Sequence, residues 1–135
     1  MSIKFNLPSN PRVIIIQKIY SQFYNKDAKL VFEKHRFKKF IKFVVNGAIE
    51  RDELIDSEII KHLKEDINIK KIDKVFEVII KSAIFEFLYR PSTSAKIIIK
   101  EYLNASNFFI NNSQTKYLNA ILDKISKKIR NNEWV

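Results

Sequence analysis

The sequence predicts an all-α fold, and two observations carry the prediction. Along most of the 135 residues, apolar side chains recur every three or four positions, which is the period of an amphipathic helix. The chain holds one Gly and three Pro, too few turn-forming residues for the many tight hairpins of a β-sandwich. The length suits one domain covering residues 1–135, with about six to seven helices and residues 1–9 as a flexible N-terminus.

The first helix is predicted to run from about Pro11 to Tyr24, because Ser9 or Asn10 can cap the free amides and Pro tolerates the first helical position. Its apolar face is formed by Ile15, Ile16, Ile19, Tyr20 and Phe23. Three polar side chains are placed off that face: Arg12, Gln17 and Lys18.

A short amphipathic segment follows from Asp27 and carries Leu30, Val31 and Phe32. The next, longer helix has a core-facing stripe of Phe37, Phe40, Ile41, Val44, Val45 and Ala48. Gly47 falls inside that helical period, so it is interpreted as a point of close packing and not as a hairpin turn. A further short helix, from Asp52 to Leu63, is predicted to point Leu54, Ile55, Ile59, Ile60 and Leu63 inward.

The second half of the chain begins with the most apolar helix. It is predicted from about Ile69 to Arg90, buried on most sides and ended by Pro91. Ser94 is then expected to cap a helix reaching Phe109, and Ser113 to cap a last helix from Gln114 to about Arg130.

The charge of the chain favours a polyanionic partner. There are 25 Lys and Arg against 15 Asp and Glu, a net charge of +10. Residues 1–46 hold ten basic and two acidic side chains, residues 47–95 eight and ten, and residues 96–135 seven and three. Nucleic acid is therefore the first candidate partner and an anionic membrane surface the second. A Lys-rich composition with no binding role is the competing interpretation.

Catalysis and metal binding have little support. The two histidines, His35 and His62, have no Cys or second His at metal-ligand spacing, and a single Gly cannot build a phosphate-cradling loop. The acidic run Glu50, Asp52, Glu53, Asp56 and Glu58 is interpreted as a solvated helix end. We therefore predict no catalytic residue, no metal and no cofactor.

The cellular compartment is predicted to be the cytoplasm. The chain has no Cys and therefore no disulfide, as expected in a reducing compartment. Its first 20 residues are interrupted by Pro8 and Pro11 and lack the pattern of a secretory signal. No stretch approaches the roughly 18 to 20 uncharged apolar residues that span a bilayer, so no membrane partner is expected.

Two places combine aromatic and cationic side chains with amides, the mixture that holds single-stranded bases. The first is the first helix, with Arg12, Gln17, Lys18, Tyr20 and Tyr24. The second spans the start of the last helix, with Phe109, Asn111, Asn112, Gln114, Lys116, Tyr117 and Asn119. For Tyr20 and Tyr117 a role in the core is an equally good interpretation, since aromatic residues at helical spacing are often buried.

Five segments follow one another along the chain: PRVIIIQKIY, FIKFVVNGAIERDELID, IKSAIFEF, IKEYLNASNFF and KYLNAILDK. In this order they resemble the signatures of the NusB transcription antitermination family. PRVIIIQKIY is similar to the family's ARxxAVQALY and keeps its Arg, Gln and Tyr. FIKFVVNGAIERDELID resembles a helix leading to a GV pair with an Asp nine residues after the Gly. IKSAIFEF matches LRxAxYEL and keeps Ala83 and Glu86, IKEYLNASNFF is similar to INEAIELAKxF and keeps Ile99 and Glu101, and KYLNAILDK resembles KFVNGVLDK.

The resemblance covers about residues 11–130 and implies an all-helical, non-enzymatic protein of about seven helices. It implies binding to boxA-type RNA together with NusE, a small-subunit ribosomal protein, within the transcription elongation complex, in support of ribosomal RNA synthesis. Carried over by position, RNA contacts fall on Arg12, Gln17, Tyr20, Phe109, Lys116 and Tyr117, to which the basic Lys18 is added. Monomer and homodimer both stay open.

One departure from the family concerns the segment before the first helix, where the family carries a cluster of Arg. Here SIKFNLPSNPR offers only Lys4 and Arg12. Lys18 and the Lys-rich segment with Lys34, Arg36, Lys38 and Lys39 would compensate only if they share one surface. Two alternative functions remain: the RNA-recruiting domain of a ribosomal RNA methyltransferase, which needs a following Rossmann-like domain that these residues lack, and a helical protein-interaction module.

Overall fold

The computed structural model describes residues 9–68 and 71–134, and within them every regular element is helical. There are six α-helices: α1 (Pro11–Tyr24), α2 (Lys38–Glu50), α3 (Asp52–Leu63), α4 (Lys74–Tyr89), α5 (Ala95–Ser106) and α6 (Asn112–Ile129). A 3₁₀ helix, Asn131–Trp134, follows α6. The all-α prediction is confirmed, and the predictions for residues 1–8 lie outside the described residues.

Helix α4 is the centre of the fold, and it contacts α1, α2, α3, α5 and α6. Every residue from Phe76 to Phe87 is buried, so the prediction of a helix surrounded on most sides is confirmed. It begins at Lys74, later than predicted, because residues 71–73 form a turn before it. It ends before Pro91, as predicted.

Three helix starts can be compared with the predicted caps. The side chain of Asn10 accepts a hydrogen bond from the Arg12 amide at 2.9 Å, and Ser94 Oγ accepts one from the Ile97 amide, so both predicted caps are confirmed. The cap of α6 was placed wrongly at Ser113. Asn111 accepts from the Gln114 amide, and the Gln114 side chain accepts from the Asn111 amide, which makes a reciprocal capping box.

The segment 25–37 connects α1 and α2 without a helix. The side chains of Leu30 and Phe32 pack against the core, whereas Val31 between them is 58% exposed. This alternation is the period of an extended chain, so the amphipathic segment from Asp27 is extended and supplies no seventh α-helix. Helix α5 also stops at Ser106, before the predicted Phe109.

Helix α3 buries a narrower face than predicted. Ile55, Ile59 and Leu63 are spaced by four residues, lie on one ridge and are buried. Leu54 and Ile60 lie off that ridge and are 46% and 58% exposed, so their predicted inward orientation is wrong.

Gly47 is a point of close packing between α2 and α4, as predicted. A Cβ atom placed on Gly47 would overlap the Phe85 ring of α4, with Phe85 Cε2 at 3.2 Å and two further ring atoms closer still. Phe85 is 1% exposed, and its ring also contacts Phe43 and Tyr89, so it has little room to move.

We expect Gly47→Ala to lower the free energy of unfolding by about 1 to 3 kcal/mol, because overpacking outweighs the better helix propensity of Ala. Urea denaturation measures the change. Asn46→Ala is the control, since Asn46 is exposed on the same helix and should leave stability unchanged or slightly raised. A neutral or stabilising Gly47→Ala would contradict the close packing.

Candidate nucleic-acid interface

A basic groove lies between α1 and the start of α2. Gln17 and Lys18 of α1 form part of one wall, and Lys34 and Lys38 form part of the other. The groove has a volume of about 270 Å³ and is also lined by Ile14, Ser21, Phe32, Glu33, His35 and Ile41. The structure therefore brings part of the Lys-rich segment onto the same surface as two predicted RNA contacts.

Lys18 holds the segment before α2 onto α1. Its Nζ donates a hydrogen bond to the Val31 carbonyl at 2.6 Å and forms an ion pair with Glu33 at 2.9 Å. The same Nζ lies 5.5 Å from the centre of the Phe32 ring. The hydrogen bond from Lys18 also lowers the pKa of Glu33. The charge of Lys18 is thus offset inside the groove by Glu33, whereas Lys34 and Lys38 are exposed.

His35 shapes the turn that presents Lys38. Its Nδ1 accepts a hydrogen bond from the Phe37 amide at 2.9 Å, and its carbonyl accepts one from the Lys38 amide at 3.1 Å. The first turn of α2 contains Lys38 and Lys39 and no acidic residue. Positive charges at a helix N-terminus oppose the helix dipole, so this turn carries a concentrated positive potential.

The predicted contact Tyr20 lies on another edge of α1, beside Tyr24. The two rings are 5.0 Å apart, and their hydroxyl oxygens are 3.3 Å apart. The hydrogen bond with Tyr24, with burial and the Asp73 carboxylate, raises the pKa of Tyr20. Tyr20 is half-buried against the core and Tyr24 is 69% exposed, so the pair offers aromatic surface to a ligand.

At the start of α6, Tyr117 stacks on Phe76 of α4, with ring centres 5.4 Å apart and an angle of 17° between the planes. Its hydroxyl donates to the Asp66 carbonyl at 2.5 Å. Burial, with the Asp66 carboxylate, raises the pKa of Tyr117, although 43% of the residue is exposed. Lys116, next to it, is exposed. Tyr117 therefore has a fixed ring with one part open to solvent, beside a cation.

Phe109 is half-buried and packs against the core, whereas its neighbour Phe108 is 65% exposed. Sequence reasoning missed Phe108, because the turn after α5 begins three residues earlier than predicted and alters which ring faces outward. Within the described ranges, no hydrogen bond, ion pair or ring contact joins Gln17, Lys18 or Tyr20 to the residues at the start of α6.

Arg12 was placed off the apolar face of α1, and this placement is wrong. It is 7% exposed, and its guanidinium binds Glu86 with two hydrogen bonds, Nε to Oε2 at 3.0 Å and Nη2 to Oε1 at 2.7 Å. Phe40 and Tyr102 place their rings 4.9 and 5.3 Å from the guanidinium carbon. Burial lowers the pKa of Arg12, but the hydrogen bond to Glu86, together with the charges of Tyr102, Glu86 and Glu101, outweighs burial and raises it. The Arg12 guanidinium is therefore a buried group that binds partners within the core.

Glu86 is fully buried, and its carboxylate accepts two further hydrogen bonds in the same network. It accepts the Tyr102 hydroxyl at 2.5 Å and Arg90 Nη1 at 3.2 Å. Arg12 also lies 3.9 Å from Glu101. Glu86 and Glu101, the two Glu residues of the family-like segments, thus both contact the Arg12 guanidinium. A buried charge needs such a partner.

The acidic run is only partly a solvated helix end. Asp52 and Asp56 of α3 bind the buried amine of Lys81 at 2.8 and 2.9 Å, and Glu77 binds it at 3.0 Å. Burial lowers the pKa of Lys81, but hydrogen bonds with the three carboxylates outweigh burial and raise it. The interpretation of Asp52 and Asp56 as solvated side chains is therefore incomplete, because each is 40% exposed and also holds a buried cation between α3 and α4.

The sequence predicts Arg130 only as the end of the last helix. In the structure, its side chain binds carbonyls at the C-terminal end of α4. Its guanidinium donates to the carbonyls of Glu86 at 3.1 Å, Phe87 at 2.8 Å and Arg90 at 2.8 Å, and also to the Thr93 carbonyl. Phe87 belongs to the last turn of α4, where carbonyls lack a partner within the helix, whereas the carbonyls of Glu86 and Arg90 also accept the amides of Arg90 and Thr93. Nothing in the local sequence distinguishes this Arg from an exposed one.

The arrangement can bind an anionic, base-bearing chain: cations and an amide line one groove, and partly exposed aromatic rings lie on α1 and α6. Among residues 9–68 and 71–134 no group of His, Cys, Asp and Glu could hold a metal ion, and none of their helices is long and apolar enough to cross a membrane. The class that this fold defines is a six-helix, all-α domain organised around one buried central helix.

Comparison with known proteins agrees with that class. The NusB family matches residues 9–127, and the chain belongs to this family. Transcription antitermination protein NusB from Rickettsia conorii is 29% identical over 122 residues, 84% of this chain and 76% of that protein. The Rickettsia akari protein of the same name is 26% identical and covers 94% of this chain and 96% of its own length. The solved structure of T. maritima NusB superposes with a TM-score of 0.76 at 19% identity, covering 90% of this chain and 92% of that one, and confirms the fold.

Proposed function

We propose that this chain is a transcription antitermination factor that binds boxA-type single-stranded RNA together with NusE and so supports ribosomal RNA transcription by the elongation complex. The observation that carries the proposal is membership of the NusB family over residues 9–127, with relatives named for antitermination. The protein acts in the cytoplasm as one domain without catalytic activity, as a monomer or a homodimer.

The proposed RNA contacts lie on α1, in the turn before α6 and on α6 itself. The exposed ones are Gln17, Lys116 and Tyr117, and the half-buried ones are Lys18, Tyr20 and Phe109. Gln17 can read base edges, Lys18 and Lys116 can contact phosphates, and Tyr20, Phe109 and Tyr117 can stack on bases. Arg12 acts indirectly, because its guanidinium holds α1 against α4 through Glu86. The ordered ring of Tyr117 lowers the entropic cost of stacking a base on it.

A protein partner is part of the proposal because no direct contact in the described residues joins the proposed RNA contacts on α1 to those at the start of α6. A small number of separate contacts gives modest affinity for RNA. A second protein that binds the same RNA raises the effective local concentration of that RNA. The test is the affinity of the purified chain, with NusE, for a boxA-type RNA and a scrambled RNA across a salt titration. We expect tighter binding of the boxA-type RNA at every salt concentration, and equal binding would contradict the function.

Lys116→Glu tests the α6 contact. We expect affinity for boxA-type RNA to fall by about fivefold and the salt slope to decrease by about 0.7 to 1, since one phosphate contact is lost. Circular dichroism should show unchanged helicity because Lys116 is exposed. Lys128→Glu makes the same charge change about 18 Å farther along α6 and should have little effect. Equal losses for both variants would exclude a specific role of Lys116.

A further inference from the structure

We propose that the groove between α1 and the start of α2 binds the phosphate backbone of single-stranded RNA, with Lys34 and Lys38 as its phosphate contacts and Lys18 and Glu33 setting its charge. This inference rests on the proposed function. It names a phosphate-binding site that takes the place of the Arg cluster that the family carries before the first helix. Neither Lys34 nor Lys38 belongs to the residues that the family resemblance assigned to RNA.

The first argument is charge. Three Lys and one carboxylate, Glu33, line the groove, so its net charge is positive even with His35 neutral. In the part of the chain that the structure describes, no salt bridge joins Lys34 or Lys38 to a carboxylate. Their charges are therefore available to an external anion, and each phosphate that they neutralise releases counterions.

The second argument is order. Lys38 is fixed at the first position of α2 by the His35 turn, and Lys18 anchors Val31 and Glu33 across the groove. Phe32 lies between two amines, 5.5 Å from Lys18 Nζ and 5.8 Å from Lys42 Nζ. The walls are thus held by contacts within the protein before any ligand binds, which reduces the ordering cost on binding.

The third argument is shape and composition. The groove is open to solvent and has a volume of about 270 Å³, so an extended strand can pass across it. Gln17 adds an amide for base edges, and Phe32 adds an aromatic wall, which a bare phosphate site would not need.

Placing Lys38 and Lys39 in the first turn of α2 costs stability, because positive charges oppose the helix dipole there. Charge reversal at Lys38 should therefore leave the fold at least as stable as before. A loss of RNA binding in such a variant cannot be attributed to unfolding, and thermal denaturation provides the check.

The experiment measures fluorescence anisotropy of labelled boxA-type and scrambled RNA with the full chain over a salt series. We expect Lys34→Glu/Lys38→Glu to weaken binding by about tenfold or more at low salt and to reduce the salt slope by about 1.4, the value for two single-strand contacts. Lys61→Glu/Lys128→Glu, with the same change in net charge, is the control and should retain the wild-type slope. Glu33→Gln should act in the opposite direction and tighten binding by about two- to fivefold, since it leaves the charge of Lys18 without its carboxylate partner.

The outcomes separate this inference from the proposed function. Equal effects of the groove and control variants, or no gain with Glu33→Gln, would overturn the groove site even if boxA preference persists. A smaller salt slope in the groove variant, combined with equal binding of boxA-type and scrambled RNA by the wild type, would support the groove site and overturn the proposed function. Groove variants that lose binding to phosphatidylserine vesicles but keep RNA binding would identify a membrane surface and overturn the RNA site.

Discussion

Glu86→Ala should lower the free energy of unfolding by about 3 to 5 kcal/mol, the range measured when one partner of a buried ion pair is removed. Glu86 is fully buried and accepts hydrogen bonds from Arg12, Arg90 and Tyr102. Without it, the buried Arg12 guanidinium keeps only the partly exposed Glu101 carboxylate, 3.9 Å away, as a counter-ion. Glu86→Gln keeps the volume and removes only the charge, so it should be destabilising by a smaller amount.

The control for this network is Glu101→Ala. Glu101 faces the same guanidinium at 3.9 Å, but its side chain is 38% exposed. Partly exposed pairs contribute about 0 to 1 kcal/mol, so this variant should unfold almost like the wild type. Chemical denaturation of the three variants measures the difference. A change below about 1 kcal/mol for Glu86→Ala would show that the network contributes little to stability.

Lys81→Met is the second variant with a large expected effect. It removes the amine that three carboxylates share, leaving Asp52, Asp56 and Glu77 close together without that cation. We expect the free energy of unfolding to fall by about 2 to 4 kcal/mol at neutral pH, less than for a fully enclosed cluster because Asp52 and Asp56 are partly exposed. Local unfolding should appear first in α3, which the ion pairs join to α4.

Lys74→Met is the matched control, since Lys74 binds Glu77 at 3.0 Å but is 39% exposed. It should cost at most about 1 kcal/mol. The pKa of Lys81 is raised in the folded protein, so the folded state holds this proton more tightly than the unfolded state. The difference in stability between wild type and Lys81→Met should be constant between about pH 6 and 9 and shrink above pH 10.5. A difference that grows with alkaline pH would contradict this assignment.

The helices could be predicted from the sequence because their signals are local. Apolar spacing with the Asn10–Pro11 start signal predicts α1, and apolar spacing with Pro91 predicts where α4 ends. Neither prediction needs knowledge of the neighbouring helices. The segment after α1 was harder, because Leu30, Val31 and Phe32 form too short an apolar run to distinguish an extended chain from a helical turn. Lys18 and Glu33 help to hold it extended through contacts across the groove, which no local pattern reveals.

The charged residues could be predicted less well, because burial of a charge depends on partners distant in sequence. Arg12 and Glu86 are 74 positions apart, and only their contact explains why an Arg lies in the core. Lys81 and Asp52 are 29 positions apart, and their ion pair makes part of an acidic run that looks solvated the partner of a buried amine. The net positive charge of the sequence predicts a polyanionic partner. Only the fold shows which Lys side chains among the described residues have no carboxylate partner and stay available to it.

The most direct measurement is ultraviolet crosslinking of boxA-type and scrambled RNA to the full chain with NusE, followed by identification of the crosslinked residues. We expect boxA-dependent crosslinks in α1 near Tyr20, in the 31–38 segment and near Tyr117, and none at the buried Tyr102. Crosslinks that are confined to α3, or that are the same for both RNAs, would contradict the account.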